Sequence, residues 1–306
     1  MDKNVWTAEA VQKAVLQDSG NLEIVFSNYL KCYVERLGEY EITLQGISDI
    51  NQLHQEVVKG IDALEPLREE FLTVMEMFAG SRQPILKHYL PDFFEGLLNF
   101  YEDEGISLYS GTSSTELRND HYRFFNQLLF ISLSSILIEN KCFDVLKAIV
   151  GSKFMVTYKS YGIVRDVNFM RFREYNYTLN EFLNTGYPKR ISVTADYAAK
   201  YSGNDFPKLV KADIMLYYIS LWNHSSEMLD SYWYPELSVY NREKYILPNL
   251  VSRKYFEAAK VLFDVDTVSQ FKALLDDTDD MLQRNGVYRV PQLKVGLMYD
   301  NVGSVE

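Results

Sequence analysis

The chain has 306 residues, 47% of them hydrophobic and 24% charged, with 23 Tyr, 18 Phe and 3 Trp against only 15 Gly and 8 Pro. That balance excludes a disordered chain and collagen-like repeats, argues against a turn-rich all-β chain, and leaves a mostly helical protein of one large or two modest domains. A net charge of −11 excludes general binding to nucleic acid or anionic lipid, because those affinities come from Lys and Arg displacing counterions.

The first half reads as helices separated by caps and breakers. Thr7 is placed to cap a helix through Val15, and Asn21 to start another through Leu37, which Gly38 stops. From Ile50 to Phe78, residues Leu64, Leu67, Phe71, Val74, Met75 and Phe78 recur at spacings of three and four and form one stripe. Arg68, Glu69, Glu70 and Glu76 fall mostly on the other side, and Gly80 and Ser81 end the helix. Pro91 is expected to start or kink a helix carrying Phe93, Phe94, Leu97, Leu98 and Tyr101. After a loop from Gly105 to Ser114, Ser113 and Glu116 form a capping-box pattern ahead of a long apolar helix through Ile138. That stretch carries Asn126, Gln127, Ser132, Ser134 and Ser135, so it reads as a buried helix and not as a membrane span. Phe143 to Val150 continues as a shorter helix.

Beyond Gly151 the pattern changes. Phe154 to Tyr158 and Val164 to Phe172 lack a clean helical period, so short strands or an irregular arm are expected in a connector over 151–190. Helices return at Thr194 to Tyr201 and from Asp205 to Trp222. Tyr232 to Tyr245 is an aromatic loop. Ser252 to Phe263 and Thr267 to Leu275 read as amphipathic helices, the second capped by Asp266, and the tail from Val287 to Val302 as strand-like or irregular around Pro291. The expected fold is mainly α, an irregular helical array in two lobes with a few short strands: an N-terminal lobe over 1–150, the connector over 151–190, and a C-terminal lobe over 191–306.

Motifs that announce chemistry are scarce. No phosphate-binding Gly-rich loop, dinucleotide fingerprint, zinc-binding histidine pair or nucleophile elbow is present, so no metal and no cofactor is expected. Cys32 and Cys142 are far apart in apolar helical contexts and read as reduced core thiols. His54, His88, His121 and His224 read as surface or cap residues. Asp276, Asp277, Asp279 and Asp280 lack the spacing of a calcium loop and read as a solvated helix end. Glu65, Glu69, Glu70 and Glu76 read as an exposed face. His224 with Ser225, Ser226 and Asp230 has neither the strained turn nor the oxyanion motif of a catalytic triad. The N-terminus, Met1 to Trp6, lacks a secretory signal pattern, which makes the cytoplasm the expected compartment.

Two features are candidates for contact. From Lys153 to Asp213 there are ten Lys or Arg against six Asp or Glu, densest at Arg165, Arg171, Arg173, Lys189 and Arg190. This is either an anion-facing or acidic-partner surface or an ordinary face paired with the acidic remainder. Trp233, Tyr234 and Tyr240 combine large area with a polar tip, as interface anchors do, and equally suit plugging a gap between helical layers.

Two resemblances bear on function. Arg82 and His88, in Arg82-Gln83-Pro84-Ile85-Leu86-Lys87-His88, resemble the arginine and histidine of HEPN ribonucleases, although Pro84 interrupts the motif. That resemblance implies an acid/base histidine and a phosphate-facing arginine meeting across a dimer. The stretches Ile191 to Asp196, Ala212 to Tyr218, Trp233-Tyr234-Pro235 and Ser252 to Glu257 are similar to helical regions of bacterial immune-type proteins, in which an effector such as a TIR or SEFIR domain precedes them. Leu64 to Glu69 and Phe124-Phe125 extend the similarity. It implies a recognition or oligomerisation region, cut from a longer protein or acting as a stand-alone partner, with no catalytic residues to carry over. The expected function is therefore a non-enzymatic sensor or interaction module, serving bacterial antiphage defence, that contacts a protein partner or a second copy through Trp233, Tyr234, Tyr240, Arg171 and Arg190. The alternative is a HEPN-like ribonuclease using Arg82 and His88. Membrane and nucleic acid are not expected partners, and salt-sensitive nucleic-acid binding by the basic segment is the third reading.

Overall fold

The structure is a computed structural model that describes residues 6–17, 20–101, 117–158, 163–186, 189–222, 232–284 and 290–306, with the backbone only over 280–284. The 105–114 loop, the Ser113–Glu116 capping box and the group His224, Ser225, Ser226 and Asp230 lie outside the described residues. The fold is mainly α with one two-stranded sheet. It divides into two compact units, residues 1–136 with 148–190, and residues 137–147 with 191–306.

In the first unit, α1 (Ala8–Leu16) starts where the Thr7 hydroxyl accepts the Ala10 N–H at 3.3 Å. α2 (Leu22–Leu37) begins after Asn21, whose side chain makes no capping bond, and Gly38 leads into a 3-10 turn at Gly38–Tyr40. α3 (Ile50–Gly80) is capped by the Asp49 carboxylate, which accepts the Gln52 N–H at 3.0 Å. The stripe expected along α3 is buried, and it is wider than the spacing shows, because Arg68 is buried with it. α4 (Leu86–Leu98) begins before Pro91 and carries that proline inside it.

α5 (Asp120–Glu139) is the long apolar helix, and its polar residues are buried rather than exposed. Several of the helix's buried polar groups are paired: Asn126 donates to the Leu97 carbonyl at 3.2 Å, Tyr122 to that of Leu37 at 2.7 Å, and Ser134 to that of Phe130 at 2.8 Å, whereas the Gln127 amide makes no hydrogen bond among the described residues. Such pairing is what makes burial of polar groups tolerable. α6 spans Phe143–Val150.

The stretch read as a connector over 151–190 belongs to the first unit. β1 (Phe154–Tyr158) and β2 (Ile163–Val167) pair antiparallel with Phe154 opposite Val167. A 3-10 turn, Phe169–Phe172, follows and buries both of its phenylalanines. The Phe172 ring sits 4.8 Å from that of Phe130 and 5.2 Å from that of Phe94, so this short turn is part of the aromatic core. A five-residue π turn, Thr178–Phe182, completes the unit.

The second unit is built on α7 (Val193–Ser202) and α8 (Phe206–Trp222), the latter buried on nearly every side. α9 (Arg253–Ala259) is capped by Ser252, whose hydroxyl accepts the Tyr255 N–H at 3.3 Å. α10 (Val268–Arg284) runs longer than expected, and its cap is Thr267 instead of Asp266: the Thr267 hydroxyl accepts the Gln270 N–H at 3.2 Å. The tail, expected as strand-like or irregular, is irregular over its described residues apart from a short helix, α11 (Leu293–Gly296). Val305 then makes a single bridge to Ser252.

Candidate functional site

The aromatic segment of the second unit is positioned by α8. Asp213 has no exposed surface in the middle of that helix. Its carboxylate accepts the Trp233 indole N–H at 2.6 Å and the Leu237 backbone N–H at 2.8 Å. The Trp233 backbone N–H donates to the Ser220 hydroxyl at 3.1 Å, and Ser192 donates to the Glu236 carboxylate at 2.7 Å. Trp233 is fully buried. As a surface anchor it is corrected: an indole held this way fills the space beside α8 and offers nothing to a partner.

Pinning Trp233 turns its neighbours outward. Tyr234 and Tyr240 are 47% and 44% exposed. The Tyr240 hydroxyl donates to Asp196 on α7, and its ring meets the Phe206 ring edge-on at 5.4 Å. One helical turn apart on α7, the Tyr197 and Tyr201 rings lie 6.0 Å from each other. The Lys200 ammonium stands over both, 5.2 and 4.6 Å from their centroids. The result is a tyrosine face on α7, made by Tyr197, Tyr201 and, through Asp196, Tyr240, in which Asp196 holds the Tyr240 hydroxyl and Lys200 the Tyr201 hydroxyl at 3.2 Å.

The basic segment of the first unit is tied to carboxylates. Arg171 pairs with Glu174, which also takes the Arg123 guanidinium at 2.9 Å. Arg123 reaches on to Asp120 at 3.1 Å, and the Arg171 guanidinium lies 5.9 Å from the Tyr101 ring centroid. Beneath them, Asp120 accepts the Thr178 backbone N–H at 2.8 Å, its own carbonyl accepts from Asn176 at 2.8 Å, and His54 Nδ1 meets the Thr178 hydroxyl at 3.0 Å. Burial pushes the Asp120 carboxyl above its ordinary value, against the Thr178 N–H and Arg123, which pull it down. Burial pushes the His54 imidazole below its ordinary value.

A concavity of about 320 Å³ is lined by Arg123, Arg171, Glu174, Tyr175 and Tyr177. Its two arginines share Glu174, and Arg123 also pairs with the buried Asp120, so two carboxylates stand against two guanidinium groups. Arg190 does not line it; Arg190 is exposed, and its backbone is clasped by the Asn184 side chain, at 2.9 Å through the amide oxygen and 3.1 Å through the nitrogen. The latch of Asp120, Arg123, Glu174, Thr178 and His54 was missed in the sequence. Its one local signal is an Asp and an Arg three apart at the head of an otherwise apolar helix.

The remaining candidates are placed as follows. Arg82 sits in the turn after α3 at φ +51°, and His88 on the first turn of α4. Both are exposed, and neither lines the 320 Å³ concavity. Glu70 is not part of a bare acidic face, because both its oxygens hold Arg36, at 2.8 and 2.7 Å; Glu65 likewise holds Arg68. The Asp276 carboxylate takes Lys294 at 2.7 Å and the Tyr299 hydroxyl at 3.0 Å, within α10 and not at its end. His54 and His121 are buried where surface positions were expected. Cys32 and Cys142 are buried free thiols. Among the described residues no group of three or more His, Cys, Asp or Glu is arranged for a metal ion, and no helix is long and apolar enough to cross a membrane.

By its architecture this is a mainly α-helical protein whose second unit carries a tyrosine face. Compared with protein-family models, curated proteins and solved structures, the chain matches none of them.

Proposed function

We propose that the chain is a protein-interaction module, working in the cytoplasm as the sensing or assembly part of a bacterial defence system, with a separate effector protein as its partner. The observation that carries the interaction reading is the exposed tyrosines of the second unit: Tyr240, held to Asp196 on the helix that carries Tyr197, Lys200 and Tyr201, and Tyr234 on the same 233–240 segment as Tyr240. Aromatic side chains on a rigid support give large contact area at low entropic cost, and a few of them dominate an interface. The link to an effector rests on the sequence resemblance. The pairing of Arg123 and Arg171 with Asp120 and Glu174, two charges of each sign, favours a protein partner over a polyanion.

The test is affinity capture of the tagged chain from its native cells, with the partner identified by mass and then titrated in purified form. Changing Tyr234 and Tyr240 together to Ala is expected to weaken that complex by about 100-fold, two anchors at roughly tenfold each. The thermal melt of the free chain should fall only slightly, by what the Asp196 hydrogen bond and the Phe206 contact of Tyr240 contribute, with the chain still folded at the assay temperature. A complex of undiminished affinity in the double variant, or no complex with an effector or a second copy, overturns the proposal.

A further inference from the structure

In the first unit, a groove of about 460 Å³ runs between the segment that follows α2 and the N-terminal half of α3. Its outer wall is an extended stretch. Glu41 has φ −62° and ψ 127°, and along the stretch Ile42 and Leu44 are half-buried while Glu41 and Thr43 are exposed, the alternation of a strand, up to the turn at Gln45 and Gly46. Among the described residues it has no neighbouring strand. Tyr40 gives its carbonyl to His121 at 3.1 Å and Leu44 gives its own to the Ile47 N–H at 3.2 Å. Among the described residues, Ile42, Thr43 and Gln45 make no hydrogen bond at all. Extended backbone with unclaimed N–H and C=O groups is the template on which another chain adds a strand.

The groove also has a charge. Glu39, Glu41 and Glu56 line it against one cation, Lys59, while Ile42 and Ile47 supply apolar surface and Gly60 and Ala63 line the α3 wall. Lys59 pairs with Glu56 at 2.7 Å, and Arg118 approaches Glu41 at 3.5 Å. Glu41 is well exposed and Glu56 half-buried, and pairs at such positions are weak enough to exchange for an incoming cation. A helical ligand would satisfy its own backbone and leave the extended stretch unclaimed. An anionic one would meet the carboxylates.

We propose that this groove docks an extended, basic peptide segment of a protein partner, added as a strand along Glu41–Leu44, with alternate Arg or Lys side chains toward Glu41 and Glu56. The groove is a different surface from the tyrosine face, and either can fail without the other.

The test is a fluorescence-anisotropy titration of the full chain with a labelled ten-residue peptide alternating Arg and Val, and with its Glu/Val counterpart. The Arg/Val peptide should bind and the Glu/Val peptide should not. Glu41→Lys with Glu56→Lys is expected to weaken binding at least about tenfold, as two lost charge contacts would. The matched control, Glu69→Lys with Glu76→Lys, changes exposed positions further along α3 and should leave binding intact. The peptide backbone gives a readout that leaves the protein untouched. N-methylation of one alternate set of its residues should weaken binding about tenfold and the other set should be tolerated, because only every second N–H of an added strand faces its neighbour. No binding of the Arg/Val peptide, equal loss in the control pair, or equal tolerance of both methylation sets overturns the proposal.

Discussion

Asp120 in the first unit and Asp213 in the second are both fully buried on long apolar helices, and both accept the backbone N–H of an irregular segment, Thr178 in one case and Leu237 in the other. What else they hold differs. Asp120 is joined to Arg123 and through it to Glu174 and Arg171, so the 169–182 stretch is fastened by charge. Asp213 takes the neutral Trp233 indole at 2.6 Å, so the 233–240 stretch is fastened by a dipole and by the volume of the ring. The same device, a carboxylate facing stray N–H groups, thus leaves one unit with a compensated polar concavity and the other with a buried Trp and an exposed tyrosine face. The lesson is that the fate of a surface aromatic or arginine is decided by the carboxylate on the helix behind it.

The largest expected effect breaks that comparison at its charged end. Asp120→Ala strands a guanidinium that is 8% exposed with Glu174 as its remaining carboxylate, and leaves the Thr178 N–H without its acceptor. A loss of about 3–5 kcal/mol is expected, the range for breaking a buried ion pair. Asp213→Ala orphans two buried donors without a charge, for which about 2–4 kcal/mol is expected. Urea unfolding of the two variants measures both values. If Asp213→Ala proved the costlier change, the ionic latch would not be what fastens the first unit.

These latches also mark the limit of what the sequence discloses. Periodicity places the stripe on α3 and the span of α6, because the signal there is local and repeats over several turns. Trp233 is legible only as an aromatic with two roles open to it; the residue that decides between them, Asp213, is twenty positions away. The Phe169–Phe172 turn is a single turn of three-residue period, too short to stand out from an irregular arm, yet it supplies the core ring at Phe172. Thr267 and Asp266 are adjacent capping residues; propensity favours Asp, and the structure uses Thr267, one position on, because register and not rank decides between neighbours. The groove beside Glu41–Gln45 lacks any motif, because it is made by the way a loop lies along a helix.

The next effect sharpens the contrast through pH. Burial lowers the His121 imidazole from its ordinary value to about 4, and lowers His54 in the same direction. A group whose folded pKa is depressed adds stability above its unfolded value and loses it as pH falls toward the folded one. Stability should therefore be fully present above pH about 6.5 and decline toward pH about 4, by roughly 3 kcal/mol for His121 alone. Burial raises Asp120, whose contribution has the opposite sign and is lost as pH rises through its folded value. Both described buried histidines lie in the first unit, so hydrogen exchange read by residue should show that unit loosening first. His121→Gln should flatten the decline. A flat profile between pH 6.5 and 4 in the unaltered chain would remove the imidazole as its cause.

The smallest effect compares how tightly the two units close around a glycine. A Cβ at Gly296 would stand 2.7 Å from the Tyr218 hydroxyl, which itself donates to the Pro291 carbonyl at 2.7 Å, and 3.3 Å from Ile246. Gly296→Ala therefore has to dislodge a hydrogen-bonded phenol, at a cost of about 1–3 kcal/mol for overpacking. At Gly60 the nearest atoms are carbons of the His121 side chain at 3.0 to 3.2 Å, and the residue is inside α3, where Ala is favoured over Gly by about 1 kcal/mol. The gain in helix propensity offsets part of the crowding, so Gly60→Ala is expected within about 1 kcal/mol of the parent. Thermal melts of the two variants measure the difference. Gly60→Ala falling further than Gly296→Ala would mean that the His121 ring is held more rigidly than the hydrogen-bonded Tyr218.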